Sequence, residues 1–575
     1  MRYSRLTTIV LCAASVASFS QIYAQAGGGM DQLHRFDGAA VDTNFAMAVA
    51  GVGDVNGDGV SDVLTGSPYA SPNGNSSAGS VVVLSGLDGS VIQLINGVVA
   101  EQRLGFAVSA VADTDGDGVG DFLVSAPGPV LSTTPIYGNV YLYSGATGSL
   151  LQQFTAPVPD AAFGCSLAGA GDVDADGFGD IIVGMSGAKV NLLTAAGSAF
   201  VYSGATGLLL HQFDGANANS MLGSAVDGAG DINGDGFADL IVGGQGDTPN
   251  GIPYAGTVNV FSGADGSKLH QYFGGTFFEQ LGDAVAGLGD IDGDGFSDFV
   301  FGAPGRPVNG VGSAVGRATV CSGASGAVLY HFEGQADGDF LGMNVAAVGD
   351  INGDGTPDIL VGAPYADPDG LDMAGSAYLY SGANGMLIQR IDGDAESNLM
   401  GWSGDRMGDL NGDGRSEVLV SAPFTSVSAP LSYEGSAFVL SFNPFLESSA
   451  ASVSVSAGEQ FQLEMDFPDS AANYGYKVLI SATGTGPMTY GVEIPLTEDT
   501  LVHNTYLGIY PFSNYSNLHG TLSVNGDASA SITIAAGQLD PSLIGRTLWM
   551  AGAASVNGLR PAEFSSAVVA VVITP

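Results

Sequence analysis

Residues 290–298 read Asp290-Ile291-Asp292-Gly293-Asp294-Gly295-Phe296-Ser297-Asp298, with side-chain oxygens at positions 1, 3, 5 and 9 and glycine at position 6. The pattern recurs. Loops of the same grammar begin at Asp54, Asp113, Asp172, Asp231, Asp350 and Asp409, and successive starts along the chain lie 59, 59, 59, 59, 60 and 59 residues apart. That period is longer than the helical solenoid repeats and long enough for a four-stranded blade with its connections. Seven copies therefore predict an all-β, seven-bladed propeller.

The strand signals within one period agree. A Gly-rich alternating stretch such as Leu104-Gly105-Phe106-Ala107-Val108 precedes each acidic loop, and a short apolar run such as Phe122-Leu123-Val124 follows it, which predicts an inner hairpin. A third strand ends in Ser-Gly, as at Val140-Tyr141-Leu142-Tyr143-Ser144-Gly145, and a fourth follows a Gly-bearing turn, as at Leu209-Leu210-His211-Gln212-Phe213-Asp214-Gly215. The seventh period lacks its fourth strand, because Asn443-Pro444-Phe445 replaces the usual turn. Leu33-His34-Arg35-Phe36-Asp37-Gly38 matches the missing segment, so the N-terminal segment is expected to complete the last blade and leave no unpaired edge.

The loops carry the chemistry. Carboxylate and amide oxygens at positions 1, 3, 5 and 9, a backbone carbonyl at position 7 and a tight glycine turn are the donor set of a hard cation, and Ca²⁺ fits it better than Zn²⁺, copper or Mg²⁺. The candidate ligands are Asp54, Asn56, Asp58, Val60 and Asp62; Asp113, Asp115, Asp117, Val119 and Asp121; and Asp172, Asp174, Asp176, Phe178 and Asp180. They continue with Asp231, Asn233, Asp235, Phe237 and Asp239; Asp290, Asp292, Asp294, Phe296 and Asp298; Asp350, Asn352, Asp354, Thr356 and Asp358; and Asp409, Asn411, Asp413, Arg415 and Glu417. An EF-hand needs Glu at position 12, where this chain has Thr65, Val124, Val183, Val242, Phe301, Val361 and Val420. The loops are instead read as hairpin tips closed by position 9, holding up to seven structural Ca²⁺. Because each loop fills its own coordination set, a structural ion is favoured over a catalytic one.

Composition narrows the partners. The 575 residues carry 14 Lys+Arg against 58 Asp+Glu, a net charge of −44 that repels nucleic acid and anionic lipid. Arg2 and Arg5, an apolar run from Leu6 to Phe19 and Ala24-Gln25-Ala26 read as a secretory signal peptide over 1–26, whose removal takes the charge to −46. Neither that run nor Ala567 to Ile573 is long enough to span a bilayer. The expected mature chain is secreted or surface-associated and monomeric. Cys165 and Cys321, in different repeats, are read as small buried apolar residues rather than a disulfide.

The segments Leu104-Gly105 to Pro127, Leu281-Gly282 to Pro304 and Leu341-Gly342 to Pro364 resemble FG-GAP repeats, the units of the seven-bladed propeller of integrin alpha chains. Gly302-Ala303-Pro304 and Gly362-Ala363-Pro364 keep the closing element whole and Phe163-Gly164 keeps the opening one, while Phe45-Ala46, Gly184-Met185-Ser186 and Gly243-Gly244-Gln245 depart from it. The resemblance implies that the cation loops lie on one face and that an extracellular ligand is taken by the other. Tyr69, Tyr254, Phe277, Phe278, Tyr365 and Trp402 fall in loops assigned to that second face and are candidates for a binding surface, each with the alternative of capping its own blade.

The expected function is adhesion to, or recognition of, an extracellular protein or glycan, without catalysis. The alternative is an extracellular hydrolase or polysaccharide lyase that uses the propeller as scaffold. His34, His211, His270 and His331 sit on the repeated fourth strand, so repetition explains them better than catalysis does, and no G-x-S-x-G, H-E-x-x-H or P-loop is present. The propeller is assigned to 27–445. Alternating stretches after Leu446, among them Ser452 to Val455, Phe461 to Met465, Leu522 to Val524 with a turn at Asn525-Gly526, Ser531 to Ile534 and Ala567 to Ile573, predict a β-sandwich domain over 446–575. His503 and His519 lie there without a nucleophile motif.

Overall fold

The computed structural model describes residues 29–444, apart from 41–42, 129–135, 160, 309–313 and 429–431, together with strands between 446 and 574. The signal segment 1–26, the Leu522 to Gly526 segment and His503 lie outside the described residues.

Seven four-stranded antiparallel sheets form the propeller. Blade 1 consists of Ala48–Gly51, Val63–Ser67, Ser80–Leu84 and Val91–Asn96, paired in chain order, and blades 2 to 6 repeat that order. In blade 7 the strands Gly404–Gly408, Glu417–Ala422 and Ser436–Asn443 are completed by Gly29–Asp37, which pairs with Ser436–Asn443 as the repeat arithmetic requires. The inner strand Ala48–Gly51 packs against the inner strands of both blade 2 and blade 7, so the ring is closed. Among the described residues the helical elements are short 3₁₀ turns, such as Pro249–Gly251.

The core lies between blades. Second strands are buried along their whole length, as in Asp180–Met185 and Asp239–Gly244, because a blade covers each face; their sequences are accordingly continuous apolar runs rather than alternating ones. Fourth strands face solvent and alternate, as Leu209–Asp214 does. One interblade cluster joins Ile182, Val201 and Phe213 of blade 3 to Leu222, Val226, Leu240 and Phe261 of blade 4, with Phe213 stacked on Phe261 at 4.0 Å. The closing strand contributes Phe36 to a cluster with Phe45, Val49 and Val63 of blade 1 and Leu419 and Val439 of blade 7.

The Leu-Gly segments are not inner strand, contrary to the sequence expectation. The inner strand of blade 2 is Val108–Val111, while Leu104 bridges to Gly79 of blade 1 and its N–H donates to the Ala78 carbonyl at 2.9 Å. The segment thus stitches one blade to the previous one. This explains the paired glycines of the repeat. A Cβ on Gly302 would lie 1.8 Å from the carbonyl oxygen of Gly342 in the next blade, so the two backbones meet where no side chain fits. The departures at residues 184–186 and 243–245 leave that contact intact, since Gly184 and Gly243 meet Gly223 and Gly282 in the same way. At the ring closure Ala46 takes the glycine's place with φ +62.

Cys321 is buried and free, as expected, but Cys165 is only half-buried, and its thiol donates to Ser186 Oγ and the Gly223 carbonyl. It is a polar contact at a blade boundary, not an apolar core residue.

The C-terminal part, taken by itself, is also all-β. One sheet orders Leu446–Ser448, Glu459–Asp466, Asp527–Ile534 and Tyr515–Ser516. A second orders Ser452–Ser454, Val569–Thr574, Thr547–Ser555, Gly475–Ser481 and His519–Thr521, and Leu463 and Met550 are buried side chains, one on each sheet.

Candidate metal centres

Every acidic loop joins the first two strands of its blade, at the hairpin tip, so all seven emerge on one face of the ring. Their hydrogen bonding is nearly uniform. In the first loop Asp54 Oδ1 accepts the N–H of Gly57 at 2.7 Å and of Asp58 at 3.0 Å, and Asp54 Oδ2 accepts that of Gly59 at 2.8 Å. Asn56 Oδ1 accepts the N–H of Asp58, and Asp58 Oδ1 that of Val60, both at 2.9 Å. The chain winds around Asp54, and the winding needs φ +79 at Gly57 and +90 at Gly59.

Position 9 is set apart from the others by burial. Asp62, Asp121, Asp180, Asp239, Asp298, Asp358 and Glu417 are all 0% exposed. In Asp180, Oδ2 accepts the N–H of Val173 at 2.7 Å and Oδ1 that of Gly204 at 3.0 Å, where Gly204 belongs to the Ser-Gly turn after the third strand. Burial pushes Asp62, Asp180 and Asp239 up to about 6 and Asp358 to about 7, with backbone N–H donors opposing the shift and neighbouring loop carboxylates reinforcing it. Asp121, Asp298 and Glu417 move the same way for the same leading reason.

The recurrent Ser-Gly turn is therefore part of the loop, a role that sequence reading missed. Its glycine N–H caps position 9, as Gly86 does for Asp62 at 3.1 Å, and its serine can reach position 5, as Ser85 Oγ does for Asp58 Oδ2 at 3.2 Å. A Cβ on Gly204 would sit 1.9 Å from the Gly179 carbonyl oxygen, so only glycine brings the turn close enough. The signal was available in the near-constant offset between position 9 and that glycine, 24 residues in blades 1 to 4. Position 7 also does more than supply a carbonyl. The rings of Phe178 and Phe296 and the Arg415 side chain lie over Gly116, Gly234 and Gly353, the position-4 glycines of the preceding loops. Arg415 additionally places a guanidinium nitrogen 3.6 Å from Asp413 Oδ2 within its own loop.

Carboxylate oxygens converge in four of the loops: Asp113, Asp115 and Asp121; Asp172, Asp174 and Asp180; Asp290, Asp292 and Asp294; and Asp409, Asp413 and Glu417 each offer atoms within 4.8 Å of one another. Two oxygens on one Ca²⁺ at about 2.3–2.6 Å lie at most about 5 Å apart, so these spacings fit such an ion. The convergence leaves out the carboxylates of Asp117, Asp176 and Asp298, and the loops at Asp54, Asp231, Asp350 and Asp409 carry an amide, Asn56, Asn233, Asn352 or Asn411, at position 3.

Two of the fourth-strand histidines tie neighbouring blades together. His211 and His270 donate Nε2–H to the carbonyls of Gly263 and Gly323, at 2.6 and 2.7 Å, in the Ser-Gly turn of the next blade. Asp367, Asp369 and Asp372 crowd one loop on the opposite face, where Asp367 accepts the N–H of Met373 at 2.8 Å and Asp369 sits in the 3₁₀ turn Pro368–Gly370, so this acidic group forms a turn.

The opposite face carries the expected aromatics unevenly. Phe277, Phe278 and Tyr254 are 69%, 43% and 42% exposed and form one patch across blades 4 and 5, with Tyr254 edge-on to Phe278. Tyr69, Tyr365 and Trp402 are half-buried; Tyr69 lies under the Arg103 guanidinium, Tyr365 against Phe340 and Trp402 against Phe424.

Comparison with known proteins agrees with this geometry. The FG-GAP repeat model matches residues 45–84 and 342–380. The chain is 31% identical over 219 residues to integrin alpha-5 of Xenopus laevis, covering 35% of this chain and 20% of the relative. It is 32% identical over 184 residues to integrin alpha-V of Gallus gallus, covering 30% and 17%, and 35% identical over 184 residues to integrin alpha-IIb of Homo sapiens, covering 28% and 16%. The chain thus spans a fifth or less of these relatives' own length. Among the described residues no helix is long and apolar enough to cross a membrane. The chain thus carries FG-GAP repeats and is similar to integrin alpha chains over the part that aligns.

Proposed function

We propose that this chain is a secreted, calcium-clamped propeller that recognises an extracellular protein or glycan without catalysis. The observation that carries the calcium reading is the common frame of the seven loops. Backbone N–H groups bond the amide oxygen at position 3 and one carboxylate oxygen at position 5 in the first loop and orient both side chains, and in four loops acid oxygens converge to within the span of one ion. The ligands proposed are the side chains at positions 1, 3, 5 and 9 and the carbonyl at position 7 of each loop. Bound Ca²⁺ would supply positive charge to a face that holds 24 of the chain's 58 acidic residues, and it would favour the ionised form of position 9 against burial.

Recognition is assigned to the other face, at Tyr254, Phe277 and Phe278. Exposed aromatics in mutual contact are costly on a surface with no partner, and they suit both sugar rings and apolar protein side chains. The test has two arms. Unfolding in EDTA and in millimolar Ca²⁺, with bound calcium counted, should show a higher midpoint and about seven ions when loaded. Immobilised extracellular-matrix proteins and glycans should capture the chain through Phe277 and Phe278. A double serine variant that keeps its midpoint and its binding would place the ligand elsewhere.

A further inference from the structure

Four of the acidic loops place asparagine at position 3 directly before glycine: Asn56-Gly57, Asn233-Gly234, Asn352-Gly353 and Asn411-Gly412. We infer that these asparagines are deamidation sites whose reactivity is gated by occupancy of their own loop, so that the modification records how long each loop stands empty. The inference rests on the calcium reading above and adds a chemical consequence to it.

The reaction needs a nitrogen nucleophile next to a side-chain amide. The backbone nitrogen of the following glycine gives up its proton and attacks the asparagine Cγ. The Cγ–Nδ2 bond breaks, ammonia leaves and a five-membered succinimide remains. Water then opens the ring at either carbonyl to give aspartate or isoaspartate. The balance is asparagine plus water to acid plus ammonia, with no redox step. Glycine is the most permissive residue for the attack because no Cβ shields its nitrogen. Asn56, Asn233 and Asn411 are exposed to the water the reaction consumes, and Asn352 is half-buried.

The loop holds the attacking nitrogen back. The N–H of Gly57 points at Asp54 Oδ1 at 2.7 Å, that of Gly234 at Asp231 Oδ1 at 2.6 Å, and those of Gly353 and Gly412 at Asp350 and Asp409 at 2.7 Å. Each asparagine is meanwhile pinned through Oδ1 by the N–H of position 5, at 2.9 Å for Asn56 and 2.8 Å for the other three. Ring closure therefore requires the peptide to swing off the position-1 carboxylate. Those same side chains are the proposed calcium ligands, so an occupied loop must empty before it reacts.

The loops differ in how firmly the leaving nitrogen is held. Nδ2 of Asn411 donates to Asp413, Glu417 and Ser441, that of Asn233 to Asp235 alone, and that of Asn56 makes no hydrogen bond among the described residues. The expected order of reaction is Asn56, then Asn233, then Asn411. Conversion to aspartate would give these loops the all-carboxylate set already present at Asp113, Asp172 and Asp290. Isoaspartate would instead lengthen the backbone inside the tight turn and spoil it.

The experiment is peptide-resolved mass spectrometry of the intact, folded protein aged in EDTA and in about 10 mM Ca²⁺, with bound calcium counted in parallel. For sites of ~10⁻⁴ to 10⁻³ M affinity, that concentration empties the loops about tenfold to a hundredfold less often, and deamidation at Asn56 should slow by that factor. Asn250-Gly251 is the internal control. It is exposed on the opposite face, and its glycine N–H meets the Thr248 carbonyl rather than a carboxylate, so its rate should not respond to calcium. Gly57→Ala supplies a second test, because the loop at Asp172 already accepts Ala175 at that position with φ +58. It should suppress reaction at Asn56 and leave Asn233 unchanged. Equal rates at Asn56 with and without calcium on a protein shown to bind it would overturn the inference and leave the calcium reading standing. A protein that binds no calcium would remove both.

Discussion

Replacing Asp180 by asparagine separates a ligand from a strut, because the side chain proposed as a ligand is also a buried, hydrogen-bonded support of its loop. In the empty loop the carboxylate is fully buried and raised to about 6, a shift of roughly two units, so its ionisation at neutral pH opposes folding by about 3 kcal/mol. Asp180→Asn removes that term, of which the repulsion from Asp174 is a part. It loses in return one charge-assisted bond, since the amide NH₂ must face either Val173 N–H or Gly204 N–H, a cost of about 2–3 kcal/mol. The two effects nearly cancel, and in EDTA at pH 7 the variant should lie within about 1 kcal/mol of the parent. With calcium the comparison changes. A site of ~10⁻⁴ to 10⁻³ M affinity contributes about 1.4 to 2.7 kcal/mol at about 10 mM ion, and the variant forfeits it. Urea unfolding in the two buffers, with calcium counted, therefore should show a cost that appears only with the ion and one ion fewer bound. An equal cost in both buffers with an unchanged count would refute the argument and reduce position 9 to a structural cap.

Gly302→Ala should destabilise by about 3 kcal/mol, because the new Cβ meets a backbone oxygen that cannot move aside. Gly251→Ala, with open space around it and only its φ of +79 to satisfy, should cost about 1 kcal/mol, and the order of the two denaturation midpoints checks the claim. Phe36→Ala should cost about 3–5 kcal/mol and open the ring at blade 7, read as early protease cleavage near the N-terminus. Burial raises Asp227 to about 7 and Asp405 to about 6, each bonded to the next blade's inner strand through Gly287 N–H and Gly51 N–H. A raised acid is stabilising while protonated, so its contribution is complete below about 4 and lost as pH rises through about 7. In EDTA the parent should gain stability on acidification from 7, with Asp227 supplying on the order of 1 kcal/mol per pH unit beside Asp405 and the buried position-9 carboxylates, and Asp227→Asn should lower the slope by about that share; an unchanged slope would contradict the assignment.

Sequence alone determined the ring and the repeating frame of its acidic loops. Oxygen donors at fixed offsets, glycine where φ must be positive and a period near 59 residues are local or periodic facts, legible without coordinates. The missing last strand and its match at Leu33 to Gly38 decided how the ring closes, since strand pairing leaves few ways to satisfy a blade edge. Tertiary structure decided what lies between repeats. That Gly302 faces Gly342, that Leu104 bridges to Gly79 and that the Ser-Gly turn caps position 9 are contacts between segments of different strands or blades, which the pattern along any one strand does not encode. The same holds for the aromatics. Tyr254, Phe277 and Phe278 form an exposed patch, whereas Tyr69, Tyr365 and Trp402 are partly covered by neighbours from other loops. Exposure is a property of the packed ring, because it depends on which loop of the adjacent blade arrives beside each side chain.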